Sequence, residues 1–254
     1  MKLSDFLPSI ARLGMARTAF AAALGLTKPF SKILLLVSLC TGSIPAAQAY
    51  TNLAYAKQCR GRVVLLDGTE IVGTVKLPTW SEKKIHIKAD EGGSQSISSD
   101  RIDMLVLWSK KNPESQYVLA HRTVQYVQRK GKNGRPDKTK LSPQWVLLKS
   151  VGEHMTIFEG ADSYQMSRKG EGILLVAANA FEVLLFKSGA DIGVKVGNMP
   201  RYTNPRFMEG TRQAFVERLC ALCADDPVFC RRLQDGDLDP LDFDQLTEAY
   251  RPEK

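Results

Sequence analysis

The sequence predicts a mainly β protein, an antiparallel β-sandwich or barrel-like domain followed by a short C-terminal α-helical tail. Between residues 61 and 187, short runs of apolar or alternating residues recur, and turns rich in Gly and Asn separate them. After residue 205 the apolar spacing changes from two residues to three or four, which is typical of helices. We therefore divide the chain into a leader at 1–49, a β domain at 50–205 and a tail at 206–254.

Residues 1–49 have the pattern of a signal peptide. A basic leader precedes an apolar run at 33–39, and the small residues of Ala-Gln-Ala at 47–49 suit a cleavage site. The apolar run is shorter than the ~20 residues that span a bilayer, so no transmembrane segment is expected after cleavage. The mature chain is expected to begin at Tyr50.

Two alternatives concern the same leader. A lipoprotein would carry its lipid on Cys40, although bulky Leu39 stands where such sites prefer a small residue. Translation from Met15 instead of Met1 would shorten the leader to an ordinary length. Each alternative still describes an exported protein, located in the periplasm or the outer envelope.

The charge of the chain is unevenly divided. The full sequence has 35 Lys and Arg against 27 Asp and Glu, but without the leader the excess falls to 30 against 26, or +4. Residues 50–205 carry +8 and residues 206–254 carry −4. The acidic tail is therefore expected to dock on the basic β domain.

The segment RVVLLDGTEIVGTVKL at 62–77 predicts a β-hairpin. Asp67-Gly68 suits a two-residue type I′ turn, because both central positions of that turn need positive φ. Pairing across such a turn would place these apolar residues on the core face: Val64, Leu66, Ile71, Val75 and Leu77.

Three short helices are expected in the tail. The first follows a linker at 197–210, with Thr211 as its N-cap. Asp226-Pro227 begins the second, which ends near Gly236, and Asp239-Pro240 begins the third by the same capping device.

Three segments together resemble an uncharacterised family of exported β-rich proteins from Gram-negative bacteria. They are LDGTEIVGTVKL, ISSDRIDMLVLWSKKNP, and the tail with CADDPVFCRRLQDGDL and FDQLTEAY. The resemblance implies an exported β domain with a helical tail. It implies no activity, and no functional residue is carried over from it.

The hairpin alone also resembles the first motif of Sm-like RNA-binding barrels. That family has an Asp and an Asn for base contact in the next turn, where this chain has TWSEKK, and SSDRID replaces its second motif. Export would also remove the usual substrate. No nucleic-acid partner is therefore expected, and the hairpin is interpreted as structural.

A dense basic cluster lies between the predicted strands TVQYVQ and PQWVLL. It is either a solvated loop or a loop that binds phosphates, anionic glycans or an acidic surface by Coulomb attraction. Its members are Arg129, Lys130, Lys132, Arg135, Lys138 and Lys140.

No catalytic, cofactor or metal site is predicted, and whether the chain is an enzyme stays open. His86, His121 and His154 are scattered through predicted strands, each without a nearby nucleophile motif. Asp100 and Asp103 would face opposite sides of a strand, because side chains alternate along it.

The four cysteines of the mature chain are even in number, which favours two disulfides in an oxidising compartment. We predict a Cys220–Cys230 bridge across a helical hairpin, and a Cys59–Cys223 bridge that ties the tail to the β domain. The alternatives are a redox pair at Cys220 and Cys223, or a zinc site. The redox alternative is disfavoured because this CxxC lies late in its helix, where the helix dipole does not stabilise a thiolate.

These observations favour an exported cell-envelope protein that serves as a structural or protein-interaction module. The alternative is an envelope hydrolase, or a small-ligand or glycan-binding protein whose site is assembled from distant residues. Its partners are expected to be envelope proteins or glycans, and no cofactor is expected.

Overall fold

The computed structural model describes residues 55–127, 139–169, 171–177, 180–200 and 205–252. Within these residues the chain is mainly β, with antiparallel sheets and a C-terminal helical stretch, which confirms the predicted fold class. The strands are β1 (Tyr55–Ala56), β2 (Gln58–Leu65), β3 (Glu70–Lys76), β4 (Lys84–Ala89), β5 (Ser94–Ser98), β6 (Ile102–Ser109), β7 (Asn112–Val127), β8 (Thr139–Val151), β9 (Met155–Gly160), β10 (Ser163–Ser167), β11 (Ile173–Val176), β12 (Ala180–Lys187) and β13 (Ile192–Pro200). The helices are α1 (Pro205–Leu222), α2 (Pro227–Asp235) and α3 (Phe243–Ala249).

Ten strands form one sheet in the order β13-β12-β9-β8-β7-β6-β2-β3-β4-β5. Strand β13 also pairs in parallel with β7, so that β7, β8, β9, β12 and β13 close into a five-stranded barrel. The remaining strands of this sheet, β6 and β2 to β5, extend from the barrel as an open antiparallel sheet. A second sheet, in the order β1-β10-β11, packs over the inner face of that open sheet.

The core between the two sheets is centred on Trp145 of β8 and Tyr164 of β10, which are 0% and 1% exposed. The Tyr164 hydroxyl donates to the Trp145 carbonyl oxygen at 2.8 Å. The Trp145 indole Nε1 donates to the Glu82 carbonyl oxygen at 3.1 Å and to Ser99 Oγ at 3.2 Å. These bonds pair the indole N–H of Trp145 and the hydroxyl of Tyr164, so both rings are buried without an unpaired donor.

The barrel has a small apolar interior of its own, built from Ala120, Val124, Val146, Phe158, Leu184 and Phe186. The rings of Phe158 and Phe186 meet edge to face, with centroids 5.2 Å apart. A Cβ at Gly193 of β13 would lie 2.1 Å from the Phe186 ring. Glycine at this position therefore lets β13 approach closely enough to close the barrel against β7.

The β2–β3 hairpin is present, but its turn and register differ from the prediction. The loop contains Leu66, Asp67 and Gly68, with Gly68 N–H donating to the Leu65 carbonyl and Gly68 at φ +85°. A three-residue loop shifts the pairing by one, so that Val63 faces Ile71. The shift exchanges the faces of β2, so Val63 and Leu65 lie in the core and Leu66 is 65% exposed, whereas Val75 and Leu77 lie in the core as predicted.

The helical tail docks on the outer surface of the barrel, and it belongs to the same compact unit as the β domain. Helix α2 begins and ends as predicted, with Asp226 Oδ1 accepting from Phe229 N–H and Gly236 in the left-handed region. Residues 197–200 and 205–210 of the predicted linker are instead the end of β13 and the start of α1, which begins before Thr211, and residues 201–204 lie outside the described residues. Asp242, not Asp239, caps α3.

The tail is held by both apolar and polar contacts. One apolar core contains Met155, Ile157, Val183, Leu185 and Val196 of the barrel, packed with Phe215, Leu219, Cys223, Phe229, Leu233, Leu238, Leu246 and Tyr250 of the tail. Asp225 accepts from Lys187 Nζ at 2.7 Å and from the Tyr250 hydroxyl at 2.8 Å. Burial tends to raise the pKa of Asp225, but these two hydrogen bonds outweigh burial and lower it.

Candidate functional site

His121 is one of the candidate catalytic residues that the sequence singles out. His121 packs on Trp145, with ring centroids 5.3 Å apart. Burial lowers the pKa of His121, the charge of Arg122 lowers it further, and Asp100 in the 3-10 turn at Ser99–Arg101 opposes both. A neutral imidazole against a buried indole is a packing contact of the core.

The other candidate acids and histidines are engaged separately. Asp103 Oδ1 pairs with Arg122 Nη2 at 2.9 Å, and His154 Nε2 lies 3.6 Å from Glu153 Oε1. His86 is exposed on β4. Within the described residues these groups therefore do not converge on one pocket, which was the arrangement that a hydrolase would need.

All four cysteines of the described residues are free thiols. Cys59 lies in the core between the two sheets and Cys223 lies in the core beneath the tail, so the structure does not bring this predicted pair together. The tail docks on β9, β12 and β13, which is away from the β2 strand that carries Cys59. Burial raises the pKa of Cys220 and of Cys223 to about 12, which disfavours the redox alternative for this pair.

Cys220 of α1 and Cys230 of α2 do face each other across the helical hairpin. The Cys220 thiol contacts the Cys230 carbonyl oxygen at 3.6 Å, and the Cys230 thiol contacts the Cys220 carbonyl oxygen at 3.5 Å. The predicted bridge between them stays a prediction. The zinc alternative gains no support, since no cluster of three or more potential metal ligands occurs in the part of the chain described here.

The predicted anion-binding loop lies almost wholly outside the described residues. Arg129, Lys130, Lys132, Arg135 and Lys138 belong to the segment 128–138. Lys140 is described, and it is exposed on β8 opposite Tyr126. The binding role of this loop therefore stays a prediction.

A polar cluster that the sequence did not indicate fills one end of the barrel. The Tyr126 hydroxyl lies 2.6 Å from Glu182 Oε2 and 2.8 Å from Gln144 Oε1, and Lys195 Nζ lies 2.7 Å from Glu182 Oε1. The single hydroxyl proton of Tyr126 cannot serve both acceptors fully, and Gln144 Nε2 is buried with no partner. With the Gln144 amide reversed, Nε2 would donate to the Tyr126 hydroxyl, and that hydroxyl would donate to Glu182. The members of the cluster then pair with one another, so we interpret the cluster as structural.

A shallow pocket of about 390 Å³ lies between the barrel and the tail, against Lys149, Leu241, Phe243 and three aspartates. Two of these carboxylates already accept hydrogen bonds from backbone N–H groups. Asp239 Oδ1 accepts from Leu241 N–H at 3.1 Å, and Asp242 Oδ1 accepts from Gln245 N–H at 3.0 Å. Turn and helix capping therefore explain two of the three acidic groups, and Asp244 lies in the first turn of α3, where the helix dipole favours a negative charge.

A set of cationic side chains, three exposed lysines and two half-buried arginines, lies on the outer face of the open sheet. Pairing aligns Arg60 of β2 with Thr74 of β3, Thr74 with Lys88 of β4, and Lys88 with Ser94 of β5. Because alternate residues share a face, the neighbouring rows lie on the same side. We define the cationic face as Arg60, Arg62, Lys76, Lys84 and Lys88.

The charge of this face is only partly neutralised. Arg60 pairs with Asp90 through two hydrogen bonds of 2.7 and 2.5 Å, and Arg62 Nη1 lies 3.2 Å from Glu70 Oε2. The three lysines of the cationic face are exposed, and none forms an ion pair with another described residue. Five cationic side chains thus stand against two paired carboxylates.

A row of hydroxyl groups borders the cationic face at the edge of the sheet. Ser94, Ser96 and Ser98 of β5 are aligned with Lys88, His86 and Lys84 of β4, so their side chains lie on the same face. Ser94 and Ser96 are exposed, whereas Ser98 is half-buried and its side chain hydrogen-bonds with Asp100. We call these three residues the serine row. Strand β5 has β4 as its neighbour and ends the ten-stranded sheet, so the row lies at an open edge.

The alternation in KIHIKA was the signal for this face, because it places Lys84, His86 and Lys88 on one side of a strand.

Fold and surface together define a mainly β protein in which a five-stranded barrel extends into an open sheet with a cationic outer face. The chain matches no family model, no curated protein and no solved structure. No helix in the described ranges is both long and apolar enough to cross a membrane.

Proposed function

We propose that this chain is an exported cell-envelope protein that acts as a binding and interaction module, without catalysis, through the cationic face. The observation that carries the proposal is the set of three exposed lysines on one face of the open sheet, without ion-pair partners among the described residues. Of the candidate catalytic groups, by contrast, His121 packs on Trp145 and Asp103 is ion-paired with Arg122. The second sheet packs on the inner face of the open sheet, which leaves the outer face free to bind a ligand.

The first test concerns export. The pattern at 33–49 leads us to expect that protein recovered from the cell envelope begins at Tyr50. N-terminal sequencing of that fraction measures this directly. An intact leader, or a lipid on Cys40, would contradict cleavage at this position.

The second test concerns binding. The mature chain is expected to sediment with washed cell envelopes in low salt and to be released at about 0.5 M salt, because screening weakens exposed charge contacts. Replacing both Lys84 and Lys88 by Gln should release most of the protein already in low salt. The matched control is Arg168→Gln with Lys169→Gln, which removes the same charge from the exposed β10–β11 turn.

The control variant should remain with the envelopes as the unaltered chain does. Equal release of the two double variants would contradict the proposal, since retention would then depend on net charge and not on the cationic face. Circular dichroism of each variant establishes that the fold is intact.

We also propose that Cys220 and Cys230 become bridged after export, in support of the tail. Each thiol contacts the carbonyl group of the other residue across the α1–α2 hairpin. Oxidation would transfer two electrons and two protons to a disulfide donor of the envelope, and would close an 11-residue loop. Non-reducing mass spectrometry of the exported protein should find this bridge with Cys59 and Cys223 as thiols; four thiols would reject it.

A further inference from the structure

We propose that the ligand of the cationic face is an acidic polysaccharide, which lies across β3, β4 and β5 and contacts the lysines and the serine row together. This inference rests on the proposed function and names its ligand class. It depends on two kinds of donor on one surface: ammonium groups from β3 and β4, and hydroxyl groups from β5.

The spacing of these donors suits a polymer with repeated anions. Residues two apart on a strand lie about 6.6–6.8 Å apart, so Lys84 and Lys88 are separated by about 13 Å along β4. The serine row runs parallel to them, about 4.8 Å away on the next strand. A chain of acidic sugars can place carboxylates against the ammonium groups, which donate hydrogen bonds to them. It can also place sugar hydroxyls against the serine hydroxyls, because a hydroxyl both donates and accepts hydrogen bonds.

The chemistry of the face favours a glycan over a membrane surface. On this face the exposed large apolar side chain is Val72, at 39%, and Trp108 of β6, aligned with Arg60, is half-buried, so the described part of the face has little apolar surface to enter a lipid layer. Peripheral membrane binding combines basic residues with an apolar surface that enters the lipid. A headgroup plane would also leave the serine row without a specific role.

An acidic peptide is the other competitor, and it would use the lysines alone or pair as a strand with the open edge of β5. The serine row distinguishes these ligands. Its side chains project from the sheet face, whereas an added strand would bind the backbone groups of the edge. Replacing the three serines therefore weakens glycan binding and leaves strand addition intact.

The experiment uses the full exported chain and four probes: polygalacturonate, neutral dextran, phosphatidylglycerol vesicles and poly-glutamate. Polygalacturonate should bind most tightly, dextran should not bind, and added salt should weaken binding. The Lys84→Gln, Lys88→Gln double variant should lose about tenfold in affinity, since each exposed charge contact contributes a factor of a few. The Ser94→Ala, Ser96→Ala, Ser98→Ala triple variant should lose about threefold or more for polygalacturonate alone.

Two outcomes would overturn the inference. Vesicles or poly-glutamate that bind as tightly as polygalacturonate, with no effect of the serine variant, would show recognition of charge without sugar. Failure of polygalacturonate to bind, while the lysine variant still loses envelope retention, would reject the polysaccharide and leave the proposed function standing. If the lysine variant retains envelope binding, the proposed function fails as well, so the two failures are distinguishable.

Discussion

Deletion of residues 206–254 is expected to destabilise the β domain severely and to expose its barrel to a hydrophobic dye. The tail covers Met155, Ile157, Val183, Leu185 and Val196, five apolar side chains on the outer surface of the barrel. Burial of such side chains contributes ~1.5–3 kcal/mol each, or roughly 8–15 kcal/mol gross. That range is comparable with the whole stability of an ordinary domain, about 5–15 kcal/mol. Thermal melting together with dye binding measures the effect.

A single substitution tests the same interface without removing the tail. Phe229 is 1% exposed and packs edge to face on Tyr250, with centroids 5.5 Å apart. Phe229→Ala should cost about 3–5 kcal/mol, equivalent to a fall of roughly 6–20 °C in Tm. The adjacent Val228 is 63% exposed, so Val228→Ala is the control and should change Tm little. Similar melting of the truncated and full chains would show that the tail is a free arm.

Trp145→Ala is expected to have the second-largest effect, because Trp145 is fully buried where β8 passes from the barrel into the core between the sheets. The change removes the indole volume and the two hydrogen bonds that Nε1 donates, while Ser99 Oγ still donates to the Glu82 carbonyl oxygen at 2.7 Å. We expect a loss of about 3–5 kcal/mol from the cavity, and a smaller further loss from the missing Nε1 hydrogen bonds.

Denaturant titration of Trp145→Ala against Trp80→Ala measures this effect. Trp80 is 40% exposed, and its carbonyl oxygen accepts from the Trp145 backbone N–H, a bond that the substitution retains. The control should therefore lose much less stability. Equal losses in the two variants would mean that Trp145 is not a central packing residue.

Local chemistry made parts of the fold predictable. Helix α2 follows directly from its Asp226 cap, its Pro227 at the first helical position and its Gly236 terminus, because each residue acts within one turn. The hairpin was predictable in place but not in register. Asp67-Gly68 fits a type I′ turn or a three-residue loop with Gly in the left-handed region, and one residue of difference exchanges the two faces.

The candidate site was less predictable because it depends on pairing between distant strands. The sequence shows that Lys84 and Lys88 share a face of β4, but not that Arg60, Lys76 and Ser94 lie on neighbouring strands of that face. Barrel closure is similarly nonlocal, since β13 pairs in parallel with β7 about seventy residues earlier in the chain. The reason for a glycine at position 193, which is the close approach of the Phe186 ring, can be recognised only when the closure of the barrel is known.

The most direct measurement of the cationic face as a binding surface is crosslinking in intact cells. A photoreactive amino acid replaces His86 at the centre of the face in one variant, and exposed Lys169 of the β10–β11 turn in the control. We predict that the His86 variant forms a high-mass adduct that polysaccharide-degrading enzymes remove and that the control does not form. Adducts of equal yield from both positions, or none from the His86 variant, would contradict the assignment of this face as the binding surface.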